Sequence, residues 1–263
     1  MNKKAKIWLA VAAALILLGG ALFAVTMTVG GWDFARLSTV AYESKTHEIT
    51  EDFTSVSVVC DTADVTIAPA KEGCCRVEIT APVKEPHTPV VQDGTLVIRP
   101  QDNRRWYENI SLSFADTKVT IYLTQEVMDT IDVSVSTGDV TLENLTCRKD
   151  VNLTASTGDM TLRGVTCQNL TTTADTGGLA MAQVLVRQKL AVERSTGDVA
   201  LTDCDGGDIT ICTSTRSVTG TLLTPKTFTA ESDTGRVSVP DTLANQRCRV
   251  YTSTGDIRMG YPK

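Results

Sequence analysis

The chain has 263 residues, enough for one or two domains. Lys plus Arg total 25 against 31 Asp plus Glu; without Lys3, Lys4 and Lys6 the remainder holds 22 basic and 31 acidic residues, a net −9 that excludes a nucleic-acid binder, since phosphate recognition needs a basic surface. Aromatics at 5% exclude a large aromatic ligand cage, two histidines leave little for His-based metal or catalytic sites, and 40 threonines point to β-structure.

Ile7 to Val29 form 23 uncharged, mostly apolar positions. As a helix they reach ~35 Å, enough for a hydrocarbon core of ~30 Å. Lys3, Lys4 and Lys6 precede the run and hold that end in the cytoplasm, so the body lies outside. A cleaved signal peptide is the rival reading. It needs small residues at the cut site, and Ala21-Leu22-Phe23-Ala24-Val25 offers no clean pair. The predicted segments are thus a cytoplasmic tip and transmembrane helix at 1–29 and a juxtamembrane stalk at 30–49.

Residues 50–127 read as an irregular amino-terminal β region. Asp61-Thr62-Ala63-Asp64 marks a corner, with Val56, Val58, Val65 and Ile67 alternating around it. Val90 to Ile98 reads as a hairpin turning on Asp93-Gly94, and Lys118 to Leu123 alternates as a strand. Between them, Arg104, Arg105, Trp106 and Tyr107 combine cations and aromatics in a way that suits a glycan or anionic polymer. The alternative is that Trp106 and Tyr107 cover the end of the core.

Residues 128–263 repeat. Ser/Asp-Thr-Gly units recur with Thr at 137, 157, 176, 196, 234 and 254, and Ser214-Thr215-Arg216-Ser217 fills the remaining place, so the steps are 19 or 20 residues. Apolar residues fall into lanes counted from each Thr. Four before it stand Val133, Leu153, Thr172, Val192, Ile211, Ala230 and Val250; three after it stand Val140, Met160, Leu179, Val199, Val218, Val237 and Ile257. Polar residues separate the lanes, which gives two short strands per repeat and room for a third. The fold predicted is an all-β parallel solenoid whose coils pair with their neighbours at ~4.8 Å. One coil buries too little apolar surface to offset its own ordering, so the coils fold as an array.

The corner residues are Gly138, Gly158, Gly177, Gly197, Gly235 and Gly255, where glycine admits a sharp bend, and Asp139, Asp159, Asp198 and Asp256, whose carboxylates can accept backbone N–H bonds within the turn. A calcium ladder is the other use of stacked carboxylates. Gly178, Ser217 and Arg236 interrupt it, so no metal is expected. Arg216 in a glycine position predicts a strained corner. Cys147 and Cys167 share a lane on adjacent coils, where either a disulfide or two stacked core thiols fits. No C-x-x-C, P-loop, G-x-S-x-G or H-E-x-x-H occurs, which argues against an enzyme and against any cofactor.

Several features together resemble a known family. They are Gly31-Trp32-Asp33-Phe34-Ala35-Arg36 after an apolar span, Asp61-Thr62-Ala63-Asp64-Val65, the Val91 to Ile98 hairpin, Trp106-Tyr107 and the Ser-Thr-Gly-Asp-Val units. The chain is similar over residues 32–260 to bacterial β-strand-repeat proteins, a membrane-anchored candidate-adhesin domain of unknown function common in Firmicutes. The resemblance implies a surface binding or envelope-stress-sensing module with no catalytic residues. Its expected partners are the membrane, through a single span, and a cell-wall polymer, an envelope peptide or another membrane protein. The alternatives are a structural scaffold for a membrane protein and, behind it, a polysaccharide-acting enzyme.

Overall fold

The computed structural model describes residues 3–29, 31, 41–71, 73–101, 117–124 and 127–262. They fall into two units, described separately.

The described secondary structure of the first unit is the helix Lys3–Val29. Within it, Lys6–Val29 is long and apolar enough to cross a membrane. It is apolar all round, with no polar face to turn toward water. The hydroxyls of Thr26 and Thr28 donate to the carbonyls of Leu22 and Ala24, so they add no unsatisfied polar group to the span.

The second unit is a parallel β-solenoid. Each rung gives one strand to each of two sheets, joined at the Thr-Gly corner. Rung 150–163 is representative: Asp150–Thr157 pairs with Thr130–Thr137 on one side and with Thr166–Thr176 on the other. Past the corner, Met160–Arg163 does the same between Val140–Glu143 and Leu179–Ala182. Alternation aims every second side chain inward, so the register stacks Val133, Leu153, Thr172, Val192 and Ile211 as one buried column. A short third ladder runs through Thr146–Cys147 and the first residues of Thr166–Thr176 and Leu185–Thr196.

One column position is flawed. Thr172 is fully buried, and its hydroxyl has no partner. Every other member of this column is apolar. Thr172→Val keeps the shape and removes the orphan, so it is expected to stabilise the unit by ~1–2 kcal/mol. Thermal unfolding checks this; a lower midpoint would contradict it.

At both ends the rungs depart from sequence order. The Ser55–Thr62 and Asp64–Pro69 rung lies inside the stack. It pairs with rung 130–143 on one face, and with Thr95–Pro100 and Lys118–Leu123 on the other. That outer rung is flanked by antiparallel strands: His87–Gln92 pairs with Thr95–Pro100, Cys75–Pro82 with Lys118–Leu123, and Tyr42–Ile49 with Cys75–Pro82. The turn at Asp93-Gly94 has φ of 49° and 71°, the positive pair of a tight two-residue hairpin. Tyr42–Ile49, placed in the stalk by sequence, is therefore a sheet strand. Its charged, alternating face gave little apolar signal.

At the carboxyl end, strand 209–215 does not pair with Thr227–Thr234. It pairs with Arg247–Thr254, and Thr227–Thr234 lies beyond that strand as the edge. The second sheet follows suit: Ile257–Gly260 sits between Val218–Leu222 and Val237–Ser238. Pairing of each coil with the next in sequence, expected throughout, fails here. Burial explains the exchange. Cys248, Val250, Ile257 and Met259 are all buried, whereas Val237 is 43% exposed and Glu231, Ser232 and Asp233 have no apolar role. The more apolar copy takes the inner place. The apolar lane after the corner shifts by one residue in this rung, so Leu222 is buried opposite Cys204 and Leu223 faces out.

Candidate functional site

Three features concentrate the polar chemistry of the solenoid: the corner stack, a buried lysine and a basic groove.

The corners stack glycine on glycine. Gly158 has φ 143°, and a Cβ there would lie 1.9 Å from the Gly138 carbonyl oxygen. The same close approach recurs at Gly138, Gly177, Gly197, Gly235 and Gly255, with added-Cβ distances of 1.9–2.1 Å to the neighbouring carbonyl. At Gly138, Gly158, Gly177, Gly197 and Gly255, where φ is positive, both the bend and the rung spacing favour glycine; at Gly235 the spacing alone does. The aspartates beside them bond between turns, not within them. Asp139 Oδ1 accepts the Asp159 N–H at 2.8 Å, Asp159 Oδ1 that of Gly178 at 2.7 Å, Asp198 Oδ1 that of Ser217 at 3.0 Å and Asp256 Oδ1 that of Arg236 at 2.9 Å. The Arg236 N–H, then burial against it, then Arg258 and Arg236, leave the Asp256 carboxyl below its ordinary value. No group of three or more His, Cys, Asp or Glu side chains among the described residues could hold a metal ion.

Arg216 occupies a glycine place with φ 111°. A side chain at such an angle costs on the order of 1–3 kcal/mol. Arg216→Gly is expected to stabilise the unit by ~1 kcal/mol, net of the extra freedom of the unfolded chain. Chemical denaturation measures it; a fall in the midpoint at constant slope would refute the strain account.

Arg194 stands two residues before a corner Thr, in an inward lane with Val135, Ala155 and Ala174. Its Nη1 donates to Gly177 O at 3.2 Å and its Nη2 points to Met160 Sδ, while Nε has no partner. Burial pulls the guanidinium down to about 10, against the opposing pull of Asp159. Lys226 is fully buried, and its ammonium is saturated. It reaches Asp205 Oδ1 and Thr224 Oγ1, each at 2.8 Å, and Gln246 Oε1. The Lys226 N–H donates to the Tyr261 hydroxyl at 3.1 Å, and the Thr242 hydroxyl donates to Lys226 O. This network ties the inner rung, the edge rung and the segment joining them. Sequence reasoning missed both cations. The signal for Arg194 was a charge in an otherwise apolar or small-residue lane; Lys226 lies outside the lanes and gave none.

The groove has a volume of about 830 Å³ and lies on the outward face of the sheet that holds the pre-corner strands. Lys189, Arg247 and Arg249 line it against a single acid, Asp208. Carboxamides of Asn169, Gln188, Asn245 and Gln246 complete its walls.

All eight cysteines are free thiols. Cys147 and Cys167 sit on paired strands in the core, and burial, then Asp129 for the first and Cys147 for the second, pushes each up to about 12. Cys60 and Cys248 are raised as far, and Cys74 is exposed. Maleimide labelling of the folded protein is expected to modify Cys74 first and to spare these four until the chain unfolds. Peptide mass mapping decides it; early labelling of Cys147 or Cys167 would overturn the burial. The predicted ligand-contact residues Arg104, Arg105, Trp106 and Tyr107 lie outside the described residues.

The Toastrack DUF4097 family matches residues 53–263, and the chain belongs to that family. Comparison with curated proteins finds no match. Among solved structures, the chain is similar to a candidate adhesin from Bacteroides fragilis, 17% identical over 83% of this chain and 97% of that one, with a TM-score of 0.46. It is also similar to a candidate cell adhesion protein from Clostridium sporogenes, 13% identical over 85% and 100%, with a TM-score of 0.36. A third, a candidate lipid binding protein from Parabacteroides distasonis, is 9% identical over 86% and 98%, with a TM-score of 0.35.

Proposed function

We propose that the chain is a membrane-anchored, non-catalytic binding module displayed outside the cell membrane, adhesin-like or sensing envelope stress. The observation that carries the reading is the apolar helix, led by lysines, ahead of a domain whose polar side chains are largely committed to joining rungs. The corner aspartates hold backbone N–H groups, Lys226 holds three acceptors, and the thiols of Cys147 and Cys167 are buried and held protonated by their raised pKa. His87 Nδ1 faces Glu85 O at 3.0 Å, and burial lowers its pKa. Such a body suits contact rather than turnover. Membrane fractionation with alkaline extraction, followed by protease treatment of intact cells, tests the placement. Recovery in the membrane fraction with cleavage from outside is expected; release by alkali, or protection of the body, would defeat the reading.

A scaffold for another membrane protein is the second reading. The edge strand Thr227–Thr234 favours it, because it pairs on one side only among the described residues, with Leu243 almost fully exposed nearby. It predicts that Ala230→Pro, at a position whose N–H faces away from the inner strand because Thr227 N–H donates inward to Gln246 O, abolishes recovery of a cross-linked partner while the melting midpoint changes little.

A further inference from the structure

We infer that the groove at Lys189, Arg247 and Arg249 binds an anionic, hydroxyl-rich polymer: a sugar or polyol chain carrying carboxylate or phosphate. The inference deepens the binding-module reading and rests on it.

Charge is the first argument. The body carries a net −9, and many of its surface cations are neutralised in place. Lys45 pairs with Glu43, Arg76 with Glu78, Arg148 and Lys149 with Asp129, Arg163 with Glu143, and Arg258 with Asp256. Lys189, Arg247 and Arg249 are exposed, and none joins an ion pair among the described residues. One acid, Asp208, lines the groove with them; its Oδ1 accepts the backbone N–H of Arg247 at 3.4 Å, so the three cations outnumber it. Three uncommitted cations in one groove make a local positive site on a negative body, which focuses an anionic ligand there.

Shape is the second. The groove crosses rungs. Asn169, Lys189, Asp208 and Arg247 occupy equivalent places on four successive strands, so the site runs along the stack with steps of ~4.8 Å. A floor that repeats at regular steps fits a chain better than a compact molecule. The ladder bulges beneath it, between Cys167 and Asn169 and between Val186 and Lys189, and this lifts Gln188 into the wall.

Chemistry and rigidity are the third. The carboxamides of Gln188 and Asn245 donate and accept together, which suits hydroxyl groups, while guanidinium and ammonium groups suit carboxylate or phosphate; Asn169 is already held by Asp150 and the Lys189 N–H. No aromatic ring lines the groove, so the ligand is read by polar contacts. The Asn245–Gln246 wall is fixed from behind. Gln246 Oε1 accepts from buried Lys226, and Thr227 both donates to Ala244 O and accepts its N–H at 2.8 Å. A wall held in advance loses little freedom on binding.

The test uses the full chain in nanodiscs of zwitterionic lipid. Labelled polygalacturonate and lipid-free polyglycerol phosphate are titrated in separate arms, with neutral dextran as the comparison. At least one anionic polymer is expected to bind, dextran at least about tenfold more weakly, and added salt to weaken the binding. The two arms show whether carboxylate or phosphate is preferred. The triple variant K189Q/R247Q/R249Q is expected to lose at least about tenfold in affinity with its melting midpoint kept, while R148Q/R163Q, away from the groove, binds as the parent does. Equal binding by parent and triple variant would overturn the groove and leave the binding-module reading standing. Equal binding of dextran, or of none of the three polymers, would overturn the inference as well; fractionation and external proteolysis decide the anchored reading separately.

Discussion

Gly158→Ala is expected to unfold the centre of the solenoid. The added methyl would stand 1.9 Å from the Gly138 carbonyl oxygen at φ 143°. Backbone strain of ~1–3 kcal/mol adds to an overlap of similar size, because the obstructing atom is main chain and cannot rotate away. The combined loss is ~2–6 kcal/mol, a large share of the 5–15 kcal/mol that typically holds a domain together. The rung lies mid-stack, so relief requires its neighbours to part, and Asp139 and Asp159 lose their alignment with the next backbone N–H. Circular dichroism melting is the measurement. A midpoint within a degree or so of the parent's would show that the spacing is softer than the corner geometry implies.

Lys226→Met should loosen one end and leave the rest standing. Methionine fills much of the volume but strands Asp205, Thr224 and Gln246 without their shared donor. Removing one member of a buried pair costs roughly 3–5 kcal/mol, less here to the extent that solvent reaches Asp205, which is 19% exposed. In a stacked array, an end rung can open without global unfolding. Limited proteolysis is therefore expected to cut between residues 224 and 246, with the fragment below residue 222 persisting. Uniform digestion, or a cleavage pattern like the parent's, would show that the latch does not control the end.

Much of the architecture was legible because two periodicities coincide. Alternation assigned Val133, Leu153 and Val192 to one face, and the 19- or 20-residue step placed them on top of one another. Asp93-Gly94 announced its hairpin by residue type alone. The exchange of the last two rungs was not legible, since copies 227–238 and 247–260 carry the same lane pattern and spacing does not say which is inner. The decision rests on small differences in apolar content, Phe228 and Ala230 against Cys248 and Val250, and on Lys226, which belongs to no lane. The aspartates were seen as turn residues, but that their oxygens reach the next rung follows only from the stacking distance. The groove was invisible because Lys189 and Arg247 are 58 residues apart and meet only through the exchanged rung.

That exchange has a consequence for assembly. The place between rung 205–222 and edge strand Thr227–Thr234 belongs to residues 247–260, which are made after both. The fold therefore cannot zip to completion in the order of synthesis. Among the described residues Thr227–Thr234 has only Arg247–Thr254 to pair with, so this edge strand docks after segment 247–260 has seated on rung 205–222 as a keystone, and the basic groove, whose wall includes Arg247 and Arg249, exists only once that segment is seated. Ligand capture at this face would thus report that the keystone is in place.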